Sequence, residues 1–348
     1  MDDKQGRVIA FPGAEAPFGL SIVLPSYNEA ESLPHTHASL LTLARELKEK
    51  RGLAVELIYV DDGSRDGTSA VASNLPADGV DVQVVTFSRN FGKEAALLAG
   101  LDHARFGAVL FMDADGQHPP SFVHGLVDRW LDQGYDVVFT YKANRDDEPV
   151  LRTLFVNGFY GLINAGLKHK IPPDAGDFRL LSPRAAAALR ALPERGRFFK
   201  GLSSWVGFRQ IGVPYIPAPR AYGQAKWGFF GLLALSIEGL TSFSVVPLRL
   251  ASLMGAVLAT LAMLYGLYII GETIIYGQSV PGYPSLLVGV MFIGGVQLLM
   301  IGVLGEYIGK ILSELKGRPV YIVGDHLTKR AETSGTQPIA SPSVTPGE

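Results

Sequence analysis

The chain has no cysteine among its 348 residues. Without thiols there is no disulfide framework, no thiolate nucleophile and no cysteine metal site, a usage that fits a reducing compartment. Charge of one sign is also lacking: 31 basic and 33 acidic residues give a net charge of −2. A balanced chain has no electrostatic footprint for nucleic acid, so no nucleic acid partner is expected. The first seventeen residues are polar with Gly and Pro and lack the apolar core of a signal peptide. Residues 1–17 are expected to be disordered. So is the tail from Asp325 to Glu348, which is rich in Ser, Thr, Pro and Gly.

The apolar residues are unevenly spread. Up to about residue 225 the pattern is that of a soluble α/β protein, and from about 228 to 312 that of a membrane segment. Leu20–Pro25, Val55–Val60, Val82–Phe87, Ala108–Met112 and Val137–Tyr141 read as strands. Ser32–Lys50, Asp66–Leu75 and Lys93–Ala104 read as helices; Leu33, Leu40, Leu43 and Leu47 mark the apolar face of the first. Strands alternating with helices predict a mainly parallel sheet with helices on both faces. In such folds ligands bind beyond the carboxyl ends of the strands. No Gly-x-Gly-x-x-Gly follows the first strand, which excludes a dinucleotide oxidoreductase. Instead Pro25-Ser26-Tyr27-Asn28-Glu29, Asp61-Asp62-Gly63-Ser64 and Asp113-Ala114-Asp115 end three strands, so three polar loops are expected on one rim.

Asp113 and Asp115 stand one residue apart after the run Ala108–Met112. Strand alternation would point both the same way, with Gln117 continuing that side until Pro119-Pro120 stops the strand. Two carboxylates held this close repel unless a cation lies between them, and so few hard ligands suit Mg²⁺ or Mn²⁺ shared with a substrate phosphate. The plain alternative is a solvated turn, where Asp and Gly are common.

Leu24-Pro25-Ser26-Tyr27-Asn28-Glu29, Val60-Asp61-Asp62-Gly63-Ser64-Arg65-Asp66-Gly67-Thr68 and Asp113-Ala114-Asp115-Gly116-Gln117-His118-Pro119-Pro120 resemble glycosyltransferase family 2, which has the GT-A fold. Gly176-Asp177-Phe178-Arg179-Leu180-Leu181, Arg220 with Lys226-Trp227, Ser244-Val245-Val246-Pro247-Leu248-Arg249 and Gly305-Glu306-Tyr307 resemble its polyisoprenyl-phosphate branch. That branch includes dolichol-phosphate mannose synthases and bactoprenol glucosyltransferases. The likeness runs from about residue 18 to 324 and departs from the usual pattern at Gly116, His118, Lys142 and Ala225.

The resemblance implies a nucleotide-sugar pocket. Tyr27 would flank the base, Glu29 and Asp61 would accept from base or ribose hydroxyls, and Pro25 would shape the strand exit. Asp62, Asp113, Ala114, Asp115, Arg145 and Lys200 complete that set, while Arg220 and Lys226 would meet the lipid phosphate or the leaving diphosphate. Asp113, Asp115 and Gln117 would hold the metal. Asp115 and Asp177 are the catalytic candidates, with Asp177 near the anomeric carbon as a base or as a positioning group. The implied reaction is an inverting, metal-dependent transfer of a hexose, from UDP-glucose, to undecaprenyl phosphate. Transfer from GDP-mannose and a non-catalytic membrane scaffold are the alternatives. A processive polysaccharide synthase would carry Gln-x-x-Arg-Trp, whereas Arg129-Trp130 has Leu126 at the glutamine position.

Residues 250–275 and 286–310 are each apolar for long enough to cross a bilayer, which needs about 20 residues. Arg249 precedes the first run, and Lys310, Lys316 and Arg318 end the second, so both ends are expected in the cytoplasm. Residues 227–248, interrupted by Glu238 and several hydroxyls, read as interfacial amphipathic helix. The expected organisation is a GT-A catalytic domain at 18–226, the interfacial segment, a two-helix transmembrane hairpin within 249–312, and a cytoplasmic segment at 313–348. The expected setting is a bacterial inner membrane. A separate flippase would act downstream, and the resemblance implies a homo-oligomer such as a tetramer.

Overall fold

The computed structural model describes residues 17–142, 161, 175–195, 198–215, 246–276 and 282–331. They fall into two compact units, one joining the N-terminal two-thirds with residues from Pro319 onward, the other holding the long C-terminal helices.

In the first unit β1 (Gly19–Ser26), β2 (Ala54–Asp61), β3 (Asp81–Phe87) and β4 (Ala108–Phe111) pair in parallel, with β1 between β2 and β4. Every residue of β1 is buried, as expected for a strand covered on both faces. Ile22 and Leu24 pack with Leu40, Leu43 and Leu47 of α1 (Leu33–Arg51). Val23 points the other way, toward α3 (Lys93–His103), where a Cβ on Gly100 would lie 2.0 Å from Val23 Cγ1. Only glycine permits that approach. The short helix α2 (Thr68–Asn74) links β2 to β3, and α4 (Phe122–Leu131) precedes β5 (Val137–Lys142).

Beyond β5, where no further strand is expected from the sequence, the sheet changes character. β6 (Ala175–Leu181) inserts antiparallel between β4 and β5. α5 (Pro183–Ala191) and α6 (Phe199–Trp205) follow, and β7 (Gln210–Tyr215) pairs parallel with β5. β8 (Val323–Lys329) closes the far edge antiparallel to β3, giving the order β7-β5-β6-β4-β1-β2-β3-β8. The expected mainly parallel sheet is therefore mixed.

β8 also corrects the expected disorder from Asp325. His326 Nε2 lies 3.0 Å from Gln83 Oε1, Lys329 Nζ donates to Leu75 O at 2.7 Å, and Leu327 packs against the core. An open edge of β3 supplies the ladder that a polar segment could not build alone. The tail after residue 331 and residues 1–16 lie outside the described residues.

The second unit contains α7 (Val246–Tyr276) and α8 (Tyr283–Leu315). Their stretches Leu248–Glu272 and Val288–Leu315 each have a mean hydropathy of 2.1, and most of their large apolar side chains are exposed. A Cβ on Gly255 of α7 would lie 2.7 Å from Met300 Cε of α8, so the pair packs where one helix lacks a side chain. The expected spans lie inside these helices. Of the expected interfacial segment only Val246–Leu248 is described, and it opens α7.

Candidate active site

The first two rim loops are bonded to each other. Asn28, at φ 54°, donates its N–H to Ser64 Oγ at 2.9 Å and accepts the Arg65 N–H at 2.9 Å. The Glu29 N–H donates to Thr68 Oγ1 and the Ala30 N–H to Asp66 Oδ2. Tyr27 and Glu29 thus stand, half-buried, on a loop braced by its neighbour. Asp61 accepts the Ser64 N–H at 3.2 Å and the Ser64 hydroxyl. Asp62 accepts from Phe91 N at 2.6 Å and Gly92 N at 3.0 Å, on the loop after β3. Burial raises both carboxyls above their ordinary pKa, against the pull of these hydrogen bonds. Asp62, expected to meet the nucleotide sugar, ties two loops together; its neighbour Gly63, at φ +67°, lets the backbone of Arg89 pass close.

β4 ends at Phe111, so Asp113–Gln117 form a loop rather than a strand extension. Gly116 turns it at φ +74°. Burial still alternates: Ala114 is buried, while Asp113 and Asp115 remain partly open. The Ala114 side chain lies in the core and its carbonyl accepts from Thr36 Oγ1 at 3.2 Å. Asp115 Oδ1 accepts the Gln117 N–H at 3.0 Å, which fixes the turn. His118 accepts the Asp113 N–H on Nδ1 at 3.2 Å and packs against Phe178 and Tyr215. Burial holds its pKa below the ordinary value, so it is a neutral acceptor that shapes the loop.

Asp177 lies on β6 beside β4, which carries it to the Asp113 loop. Between them is Lys93, the first residue of α3. Its Nζ is 2.6 Å from Asp113 Oδ1 and 2.8 Å from Asp177 Oδ2. Lys200 Nζ on α6 stands 3.6 Å from Asp177 Oδ1. Burial alone would lift the Asp177 pKa; Lys93 and Lys200 outweigh it and hold the carboxyl well below the usual range. Burial would lower Lys93, but Asp177 and Asp113 keep it firmly protonated. Next to Lys93, Glu94 accepts the Phe199 N–H at 2.9 Å, and burial with the Asp177 charge pushes its pKa up to about 7. Arg179, fully buried on β6, donates to Gly176 O at 2.7 Å and to Ser203 Oγ, bracing the strand behind Asp177.

Of the residues expected in the site, Asp113, Asp177 and Lys200 come together in one charged cluster, and Asp115 and Gln117 share the Asp113 loop. Arg145, Arg220 and Lys226 lie outside the described residues. Lys93, Glu94 and Arg179 were missed as site residues. The signal for the first two was position: Arg89-Asn90-Phe91-Gly92-Lys93 follows β3 as the other polar loops follow their strands.

Among the described residues no three His, Cys, Asp or Glu side chains converge on a metal position. The donor chemistry at Asp113 and Asp115 nevertheless fits Mg²⁺ or Mn²⁺: two partly open carboxylates suit an ion that keeps waters and takes substrate phosphates. A cavity of about 630 Å³ opens at the opposite, amino ends of β2 and β3. The acids lining it are matched there by Arg45, Arg105 and Arg330, away from Asp113 and Asp177.

A mixed sheet with helices on both faces, acids gathered at the ends of its strands and two long apolar helices define a GT-A glycosyltransferase with a membrane hairpin. Residues 21–190 match Glycosyl transferase family 2, and residues 246–311 match the GtrB C-terminal hairpin. The chain is 42% identical over 306 residues to an uncharacterized glycosyltransferase of Synechocystis sp., covering 88% of this chain and 95% of that one. It is 41% identical over 304 residues to the SfII prophage-derived bactoprenol glucosyl transferase of Shigella flexneri, covering 87% and 97%. It is also 40% identical over 304 residues to a glycosyltransferase of Bacillus subtilis named CsbB, covering 87% and 91%. The chain belongs to glycosyl transferase family 2. It is a membrane-associated glycosyltransferase.

Proposed function

We propose that this enzyme transfers a hexose, with inversion, from a nucleotide sugar to a polyprenyl phosphate at the membrane surface, with UDP-glucose as donor and undecaprenyl phosphate as acceptor. The observation that carries this reading is the meeting of Asp113 and Asp177 across Lys93, at the strand ends where a diphosphate and a sugar would lie. The relatives named bactoprenol glucosyl transferase, alike over nearly their full length, support the acceptor and the sugar.

Pro25, Tyr27, Glu29 and Asp61 border the nucleotide. Asp113 and Asp115, with Gln117, would hold Mg²⁺ or Mn²⁺, which supplies Lewis-acid stabilisation of the departing diphosphate. Lys200, with Arg145, Arg220 and Lys226, offers cations for the donor and acceptor phosphates. A lipid phosphate is already anionic at neutral pH, so it needs placing more than deprotonating. Asp177, held ionised by two lysines, orients the acceptor or the sugar rather than taking a proton.

A membrane hairpin suits an acceptor whose phosphate lies at headgroup level. Cationic residues at the hairpin's two ends support a catalytic domain in the cytoplasm of a bacterium, with a flippase then needed to turn the product outward; the family resemblance implies that the chains assemble as homo-oligomers. The test uses the purified full-length protein with undecaprenyl phosphate and a panel of UDP- and GDP-sugars, with and without chelator. Glucolipid formed only from UDP-glucose and only with metal is expected. Transfer from GDP-mannose instead would replace the donor, and no transfer from any sugar would remove the reading.

A further inference from the structure

The cation already at the centre of the site belongs to the protein. Lys93 Nζ sits on an oxygen of Asp113, one of the two carboxylates assigned to the divalent ion, and reaches Asp177 with the same ammonium. Its side chain is 44% exposed, so it enters from the open side of the cluster, while Asp177 is 18% exposed. Lys93 and a divalent ion would compete for Asp113, since two cations on one carboxylate repel strongly where water is scarce. Asp115 is not in the lysine's grip. Its Oδ1 accepts the Gln117 N–H. Asp177 has a second cation, Lys200, at 3.6 Å, so it stays compensated whichever way Lys93 moves.

We infer that Lys93 is a resident counter-cation that holds Asp113 until a divalent ion displaces it, so that this lysine sets the affinity of the metal site. It is a positioning residue for the metal and stays with Asp177 once Asp113 has changed partner. The inference rests on the metal-dependent reading above. The displacement gives the empty site a neutralised resting state, in which two acids are not left facing each other across a cleft.

The experiment is a Mn²⁺ titration of the full-length protein in detergent, without nucleotide, followed by electron paramagnetic resonance of the free ion. Lys93→Met should bind Mn²⁺ about tenfold more tightly than the unsubstituted protein. Lys200→Met removes an equal charge nearby without touching Asp113, and should change the affinity less than about threefold. Thermal melting establishes that each variant is folded. Lys93→Gln, which keeps a donor but not the charge, replaces the Met variant if that one fails to melt cooperatively. Equal tightening by the Lys93 and Lys200 variants would reduce the effect to bulk charge and overturn the inference, as would no tightening at all. If no form of the protein binds Mn²⁺, the metal reading itself falls and this inference with it.

Discussion

The backbone N–H of Phe199 donates to Glu94 Oε2 at 2.9 Å, joining the start of α6 to the first turn of α3. That bond brings Lys200 to the same cluster as Lys93, and it places a carboxyl where burial and Asp177 both oppose its ionisation.

Glu94 has a folded pKa of about 7 against an ordinary 4.5, so it binds its proton more tightly when folded. The stability this contributes is full below pH 4.5, falls as pH rises, and is lost above about 7. Glu94→Gln removes the titration. Relative to the unsubstituted protein the variant should gain stability from pH 5 to pH 8, by up to ~3 kcal/mol. Urea unfolding at the two pH values measures it; an unchanged difference would place the Glu94 pKa near that of a free carboxyl.

Among the described residues Asp115 accepts one hydrogen bond, from the Gln117 N–H, so its charge is not expected to hold the fold. Asp115→Asn should retain the melting profile and lose transfer by about a hundredfold to a thousandfold, the scale for losing one group that stabilises developing charge in the transition state. Radiolabelled hexose transfer to lipid reads the loss. Undiminished turnover would overturn the metal assignment.

Gly63 combines φ +67° with backbone atoms of Arg89 2.5 Å from where a Cβ would sit. Gly63→Ala should cost about 2 kcal/mol or more, because neither the backbone nor the neighbouring loop can yield cheaply. The damage should reach function, since Asp61 and Asp62 flank it. Thermal melting and nucleotide binding by calorimetry would both show it.

β8 pairs with β3, so the residues before α7 and after α8 belong to one sheet. The number of membrane crossings between them must therefore be even. Reporters fused at residue 1 and after residue 331 should give the same sidedness in cells, and protease should reach both in inside-out vesicles. Opposite sidedness would mean that a third segment crosses. Removing residues 319–348 should lower the melting temperature by about 5 °C or more, because β3 loses its edge partner and Phe87 its stacking contact with Tyr321, 5.1 Å away.

Much of this was legible before folding. Each of the five strands read from apolar runs is present within a residue or two, because a strand covered on both faces must be apolar along its length. The polar loops at their ends were legible for the same reason, as was the pair of membrane helices. β6 was not. Its residues Gly176 to Leu181 were seen as a motif, but nothing local says that they run antiparallel between β4 and β5. β8 was misread as disordered tail because its composition is polar and its stability comes from a partner more than two hundred residues away.

The site divides along the same line. That Asp113 and Asp115 stand together follows from adjacency in the chain, and so does their place at a strand end. That Lys93 joins Asp113 to Asp177, and that Asp62 accepts from the backbone of the loop after β3, follows from which strands lie side by side. Sequence by itself determined the elements, the rim and the membrane hairpin, because short-range pattern and burial govern those. Tertiary structure alone decided which charges meet, because an ion pair depends on the register of distant strands and the angle at which a helix enters.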